Sequence, residues 1–568
     1  MLSKKIIILG KRYWSLIILL LIIFTATVLR FWHLGTAPKG LLIDEASFGY
    51  IAKSIAETGK DEHGVSYPIV FEAFGDQKLP LQGYLLAPIV KIFGLSNESV
   101  RSVSALAGVL IVVGMYLLIS SRFTSRWGLL AAAITAVSPW TFYLSRFAWE
   151  SNVALCLFIF GLYFLFRSLE RRSISAAWMM MILWSLTWST YIAYRPITGI
   201  LGLIYVIQVY RQHLFSTKKI FILCLGALII VAPLFSASAR GANTARLNQV
   251  GIHRNPGTVM KIDEKRAYCS SHTQPFWCSL AWNKPTEIIE TFGERFMRAY
   301  SFDYLFAPIK GDVLFVTEDN GEFVGILAPF LYVGIGIVLY NLFQRSKNPL
   351  SFWVSLGLII SILPAIFISD MHRVRGSALF PFIMLCMIWG GHYVVSRLTR
   401  QWQKIVVAII ILGFFVIQTY VYLMNWFTVH IDQHDFTYDG HVPPLMQYLG
   451  KTSPDTQIYF KPFISDPILT YAYYTDFSPQ QYQTLAQYGP KQGDGFQHAV
   501  KLGRVEVTDH SPGAIGCQMS TYTGPLLYVT DFDESRTPLF TVKSTNGVHT
   551  RAYVYDIRSF TPDATCKK

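Results

Sequence analysis

Five groups of charged and hydroxylated residues stand beside long apolar runs. They are Asp44-Glu45, Lys78, Arg146 with Glu150, Tyr191 and Tyr194 with Arg195, and Asp370 with His372, Arg373 and Arg375. Charge near hydrocarbon is costly and marks function by default. Carboxylates can take a proton from a hydroxyl, and Lys or Arg can hold a phosphate. Each group also has a plainer reading. Asp44-Glu45 would cap a helix. Lys78 would anchor at an interface, and Glu150 would pair with Arg146 at i, i+4. Arg195-Pro196 would mark a turn. His372 would be structural rather than a metal ligand. Asp531-Phe532-Asp533 reads as a surface turn.

The elements that must position these groups are membrane helices. Of 568 residues, 52% are apolar and 15% charged, with a mean hydropathy of +0.37. Soluble domains carry roughly 25% charged residues, so a soluble enzyme and a disordered chain are both excluded. A span takes about 20 apolar residues. Eleven candidates are read at 13–30, 100–120, 127–143, 151–167, 176–193, 197–210, 219–236, 323–342, 351–368, 377–396 and 404–425. The apolar stretch 81–93 is left outside as an interfacial or re-entrant helix. The first span follows a basic start but no small-residue cleavage site, and is read as retained.

Charge fixes the expected orientation. With the N-terminus inside, the cytoplasmic segments hold 17 of the 49 Lys and Arg and one acid, Glu170. The remainder then carries 32 bases against 34 acids. The net charge of +14 thus reflects the positive-inside bias rather than nucleic-acid binding. No zinc-finger, Walker or RNP-like pattern supports a nucleic-acid partner. All five charged groups fall on the outer face, with outer loops at 31–99 and 237–322. The expected architecture is an α-helical polytopic membrane module, 1–426, followed by an extracytoplasmic α/β domain, 427–568. In that domain 457–460, 526–529 and 553–555 read as strands and 464–485 as helical. The localisation expected is a plasma (inner) membrane. Cys156, Cys224 and Cys386 lie in spans. Cys269, Cys278, Cys517 and Cys566 lie outside, where three pairings are open. Cys269 with Cys278, closing a short loop, is favoured over a zinc site, whose ligand spacing is missing.

Four stretches, in order, carry a family resemblance over about 1–420. They are Asp44-Glu45 after the first span; Lys78-Leu79-Pro80-Leu81 through Leu86; Phe93-Gly94-Leu95-Ser96 through Gly108; and Ser145 through Glu150. Together they resemble the GT-C integral membrane glycosyltransferases that use lipid-phosphate sugars. These include the protein O-mannosyltransferases, the aminoarabinose transferases acting on lipid A, and bacterial family-39-like homologues. The usual Lys-Pro-Pro is Lys78-Leu79-Pro80 here, and the second acid is Glu150 where relatives often have Asp. No sugar-binding MIR repeat is found.

The resemblance implies a polyprenyl-phosphate sugar donor and an inverting transfer to an extracytoplasmic glycan, lipid or protein hydroxyl. It implies Asp44 as catalytic base, with Glu45 or Glu150 orienting the acceptor or sharing that role. Lys78, and then Arg195, Arg373 and Arg375, would bind the donor phosphate. No cofactor is required on this account, and Mg²⁺ or Mn²⁺ between the carboxylates is the alternative. A lipid-linked oligosaccharide polymerase or ligase, and a lipid-linked-sugar transporter, are the rival readings. Transporters favour repeated halves and midplane polar groups, and the sequence shows neither.

Overall fold

The computed structural model describes residues 2–238, 256–308, 320–344, 348–368, 372–491, 496–544 and 546–562. Asp370 and Cys566 lie outside the described residues. The chain divides into two compact units, 1–32 with 104–423, and 33–103 with 424–568.

The first unit is helical. Over the whole chain, eight described helices are long and apolar enough to cross a membrane. They are Tyr13–Phe31, Asn97–Arg122, Glu150–Arg171, Thr217–Phe235, Gly325–Phe343, Pro349–Phe367, Ser377–Arg397 and Gln401–Gln433. A ninth is a pair, Ser125–Val137 and Pro139–Arg146, bent by 51°. The expectation of eleven spans is corrected at two places. The 176–193 run forms a helix, Ile174–Thr187, of only 14 residues, about 21 Å at 1.5 Å per residue. The 197–210 run lies in Tyr194–Arg211, which is not among the membrane-length apolar helices. The chain is a multi-pass membrane protein.

The bend has a chemical cause and a chemical remedy. Pro139 carries no N–H, so the helix breaks at Ser138 and carbonyls of the preceding turn lose their partners. Arg30, at the end of the first span and fully buried, supplies them. It donates to Ala136 O (2.9 Å) and Thr135 O (3.3 Å), to Thr141 Oγ1 (3.3 Å) and to Ser145 Oγ (3.2 Å). Arg146 repays the first span: its Nη1 donates to Arg30 O (3.1 Å) and Trp32 O (2.6 Å), capping that helix's C-terminus.

The second unit joins the expected first outer loop to the C-terminal segment around one core. Tyr50, Ile51, Phe71 and Phe74 from the loop pack with Leu445, Ile468, Val505 and Val554. The expected boundary put 31–99 with the membrane module; in the structure it shares a hydrophobic core with 424–568. A hairpin is formed by β1 (Phe71–Ala73) and β2 (Asp76–Lys78). Its two-residue turn, Phe74-Gly75, has φ of 41° and 80°, as tight hairpins of this length require. A seven-stranded mixed sheet comprises β3 (Gln457–Phe460), β4 (Ala486–Tyr488), β5 (Ala499–Leu502), β6 (Val505–Val507), β7 (Leu526–Thr530), β8 (Phe540–Lys543) and β9 (Thr550–Asp556). Its order is β4-β5-β6-β3-β7-β9-β8, with β6, β3 and β7 parallel. The three expected strand runs are β3, β7 and β9, adjacent at the sheet centre. The expected 464–485 helix is two, Pro467–Tyr474 and Pro479–Leu485, parted by a left-handed Asp476 (φ 53°).

Candidate functional site

In the second unit, Asp44 lies in the first turn of Ile43–Thr58, where a carboxylate complements the helix dipole. Gly59 closes that helix in the left-handed conformation, its N–H on Ile55 O (3.0 Å). Gly40, just ahead of it, tolerates no side chain: a Cβ there would meet Tyr438 O at 2.1 Å. Lys78 ends β2, opposite the buried Phe71, on the hairpin face turned to the core. Pro80 then starts the helix Pro80–Phe93 at the position that needs no N–H.

These two elements bring Asp44 and Lys78 together as an ion pair. The Lys78 ammonium also sits over the rings of Phe48 (4.7 Å) and Phe74 (5.0 Å), a favourable setting for a desolvated cation. The Lys78 side chain is 6% exposed and that of Asp44 41%. The pair therefore presents a water-accessible carboxylate on a buried cationic base.

Glu45, expected to orient the acceptor or share the base role, is held in an ion pair of its own. Arg101 donates to both of its oxygens, Nε to Oε1 and Nη2 to Oε2, each at 2.9 Å. Glu45 Oε2 also accepts the Leu42 N–H (3.1 Å), capping the helix that carries Asp44. Arg101 further donates to Leu34 O, Pro38 O and Gly40 O (3.0, 2.7 and 2.6 Å). Both side chains are buried. This bidentate pair fixes the turn before Asp44. Arg101 was visible in the sequence only as part of the Phe93–Gly108 stretch. An arginine four residues into an apolar helix was the signal.

In the first unit, Glu150 is the first residue of Glu150–Arg171 and is partly exposed. It does not stand at i, i+4 to Arg146 on one helix, because the helix ends at Arg146 and a new one begins at Glu150. Arg195 is half-buried and donates from Nε to Trp188 O (3.1 Å). Tyr194 is buried with its hydroxyl on Ser377 Oγ (3.0 Å). Arg373, expected on a phosphate, is paired within the protein. It is buried, its Nε donates to Glu322 Oε1 (3.1 Å), and its guanidinium covers the Tyr143 ring at 4.5 Å. Its carbonyl accepts from Trp140 Nε1 (2.8 Å). Glu322 was not singled out in the sequence, where it lies in a long loop without a motif. Arg375 is partly exposed, and its backbone N–H lies 3.5 Å from His372 Nδ1. Burial, then Arg375 and Arg373, push the His372 imidazole down to about 3, so it is neutral at ordinary pH.

Among the described residues no group of three or more His, Cys, Asp or Glu is placed to hold a metal ion. Cys269 and Cys278 form a disulfide, Cα–Cα 5.7 Å. Cys517 is also disulfide-bonded, and Cys156, Cys224 and Cys386 are free thiols. Phe532 of the Asp-Phe-Asp run is exposed, and Asp533 Oδ1 accepts its own turn's Ser535 N–H (3.0 Å).

The first unit also contains a cavity of about 1060 Å³. Phe296, Tyr300, Tyr332, Val338 and Leu358 line it, with Arg298 and Asp303 among its few charged residues. Its walls include the membrane-length helices Gly325–Phe343 and Pro349–Phe367.

Residues 77–236 match the family described as dolichyl-phosphate-mannose-protein mannosyltransferase. No curated protein matches the chain in sequence. Among solved structures, the chain is similar to ArnT from Cupriavidus metallidurans in the apo state. That match has 11% identity, covers 98% of this chain and 99% of that one, and has a TM-score of 0.43. The same protein bound to undecaprenyl phosphate matches at 10% identity, 96% and 98% coverage and a TM-score of 0.42. The oligosaccharyltransferase of Archaeoglobus fulgidus in the apo form matches at 14% identity, 92% and 70% coverage and a TM-score of 0.49.

Proposed function

We propose that the chain is a membrane glycosyltransferase that moves a sugar from a polyprenyl-phosphate carrier to an extracytoplasmic hydroxyl. The observation that carries this reading is the Asp44–Lys78 pair, an accessible carboxylate on a buried ammonium. The matched family stretch, which begins at Gln77 and includes Lys78, supports it. The apolar cavity in the first unit suits an isoprenoid tail, since its walls are membrane-length helices.

The chemistry follows from the pair. The acceptor oxygen attacks the anomeric carbon as the bond from that carbon to the phosphate oxygen breaks. Asp44 takes the acceptor's proton, and polyprenyl phosphate leaves with the bonding electrons. Attack opposite the leaving group inverts the anomeric centre. Protonation cancels the charge of Asp44, which loosens its hold on Lys78 just as negative charge gathers on the phosphate. A cation already in place then stabilises the leaving group without reorganisation. Arg195 and Arg375 are further candidates for phosphate contact, and Glu150 for orienting the acceptor. The side chains alone supply the electrostatics on this account, and a divalent cation is not a required part of it. The acceptor is a glycan, a lipid or a protein of the cell envelope, and the membrane is the inner one.

The test is release of polyprenyl phosphate from a polyprenyl-phosphate hexose by the purified protein in lipid nanodiscs. Wild type turns the donor over and Asp44→Asn does not. Equal turnover by the two proteins would remove Asp44 from the chemistry.

A further inference from the structure

In the same unit as the Asp44–Lys78 pair lies a carboxyl that the proposed reaction does not use. Glu62 belongs to a tight turn. Asp61 Oδ1 accepts the N–H groups of His63 (3.0 Å) and Val65 (2.9 Å), and Asp61 N–H reaches Val65 O (3.0 Å). Gly64 takes φ 83° within it. Gln483 Nε2 pins the turn by donating to Asp61 O (2.9 Å). With Asp61 spent on the turn's own backbone, Glu62 is the side chain driven inward. It is 4% exposed, and its Oε2 has no hydrogen-bond partner among the described residues. Its Oε1 lies 3.7 Å from His63 Nε2, a contact too long for a hydrogen bond.

The groups that face it are mostly acids and phenols. Asp61 and His63 come from its own turn, Glu72 from β1, Lys78 from β2 and Asp466 from the cap of Pro467–Tyr474. Tyr50, Tyr482 and Tyr488 sense it from Ile43–Thr58, Pro479–Leu485 and β4. His498 stands nearby, bonded to Asp466 Oδ2 (3.1 Å) and stacked on Phe74, the same ring that Lys78 covers. Lys78 is the one permanently charged cation in that set.

Two carboxyls thus contend for one ammonium. Asp44 is half open to water, so its ionised form is cheaply solvated. Glu62 is enclosed and, among the described residues, without a hydrogen bond, so its ionised form is costly. Burial, with Asp466 and Asp61 adding to it, holds the Glu62 carboxyl well above the usual carboxylate range. The ammonium accordingly rests on Asp44.

We propose that Glu62 is a positioning residue for the Asp44–Lys78 pair, deciding by its own charge whether the ammonium stays on Asp44. Neutral, it leaves Lys78 to Asp44 and then to the donor phosphate. Ionised, it draws Lys78 inward and withdraws it from the reaction. This role rests on the reading of Asp44 as the base.

Two measurements separate the two ideas. The first is the pH profile of polyprenyl phosphate release for wild type and Glu62→Gln, with Asp44→Asn as the blank. Wild type falls about tenfold per pH unit on its alkaline side, as for one ionisation, and Glu62→Gln holds its rate at least one unit higher. An identical alkaline limb in both overturns the proposal. The second needs no activity: infrared titration of the protonated carboxyl stretch that Glu62→Gln removes. In Lys78→Met that band persists to higher pH than in wild type, because the neighbouring cation is gone. A band that is absent at neutral pH, or that titrates identically in both proteins, overturns the proposal even if Asp44→Asn proves fully active.

Discussion

Asp44 and Lys78 are partners of unequal exposure, a carboxylate 41% open to water held by an ammonium that is 6% open. The asymmetry predicts unequal variants. Asp44→Asn should lower donor turnover by about 10²–10⁴-fold, the usual worth of a positioned base. Lys78→Met should act on donor handling first, raising the apparent KM for the polyprenyl-phosphate sugar more than that for the acceptor. Steady-state kinetics with each substrate varied in turn read the split.

Glu45 stands next to Asp44 in sequence and should fail differently. Breaking its buried bidentate pair with Arg101 leaves one charge unanswered, at a cost of about 3–5 kcal/mol. Glu45→Gln and Arg101→Met should therefore lower yield and melting temperature before any kinetic constant. Normal melting in detergent, with selective loss of rate, would return Glu45 to the chemistry.

A third prediction concerns the bent pair. A methyl group on Gly108 would lie 2.0 Å from Ser145 Oγ and 2.7 Å from Arg30 Nε. Gly108→Ala should displace both and destabilise the protein by about 1–3 kcal/mol. Arg30→Met should cost more, since the Ala136 carbonyl loses its Arg30 donor in an apolar setting and Thr135 O keeps only the Thr141 hydroxyl. Thermal denaturation of the two variants in one detergent ranks them.

Asp439 gives a pH test. Burial pushes its carboxyl up to about 7 from the ordinary 3.8. A raised acid binds its proton more tightly when folded, so its contribution to stability is complete below about 4 and declines as pH rises to about 7. The ceiling is about 4 kcal/mol at 1.36 kcal/mol per unit. Asp439→Asn suits the left-handed backbone there (φ 51°). It should flatten that decline and melt higher than wild type at pH 8, with the difference shrinking at pH 4.

The sequence made some of this legible and hid the rest for physical reasons. Hydropathy finds long apolar helices because the bilayer demands length, and it found eight of the eleven runs at full span length. The runs at 176–193 and 197–210 fall on helices that are shorter or less apolar than those eight, because apolar residues fill such helices too. Lys78 and Asp44 were visible as charges beside apolar runs. The sequence could not tell Glu45 from Asp44, because two adjacent acids on a helix point in different directions, one to Lys78 and one to Arg101. The partner of Arg373 was hidden similarly: an outer-loop arginine advertises a ligand, and Glu322 lies 51 positions away. The Cys269–Cys278 pair was favoured among three open pairings because it closes a short loop, and the structure forms it. The shared core of 33–103 with 424–568 was not, since no local pattern reports which distant segment covers an apolar face.

The arginine at the end of the first span bears on how the chain is made. Its acceptors on the bent pair lie 105 to 115 positions downstream. During synthesis that guanidinium must wait at the bilayer edge, solvated by water or lipid headgroups, until the later helices emerge. The first hairpins of this membrane protein therefore cannot lock in simple order of appearance: the span that carries Arg30 settles only once the bent pair has been made.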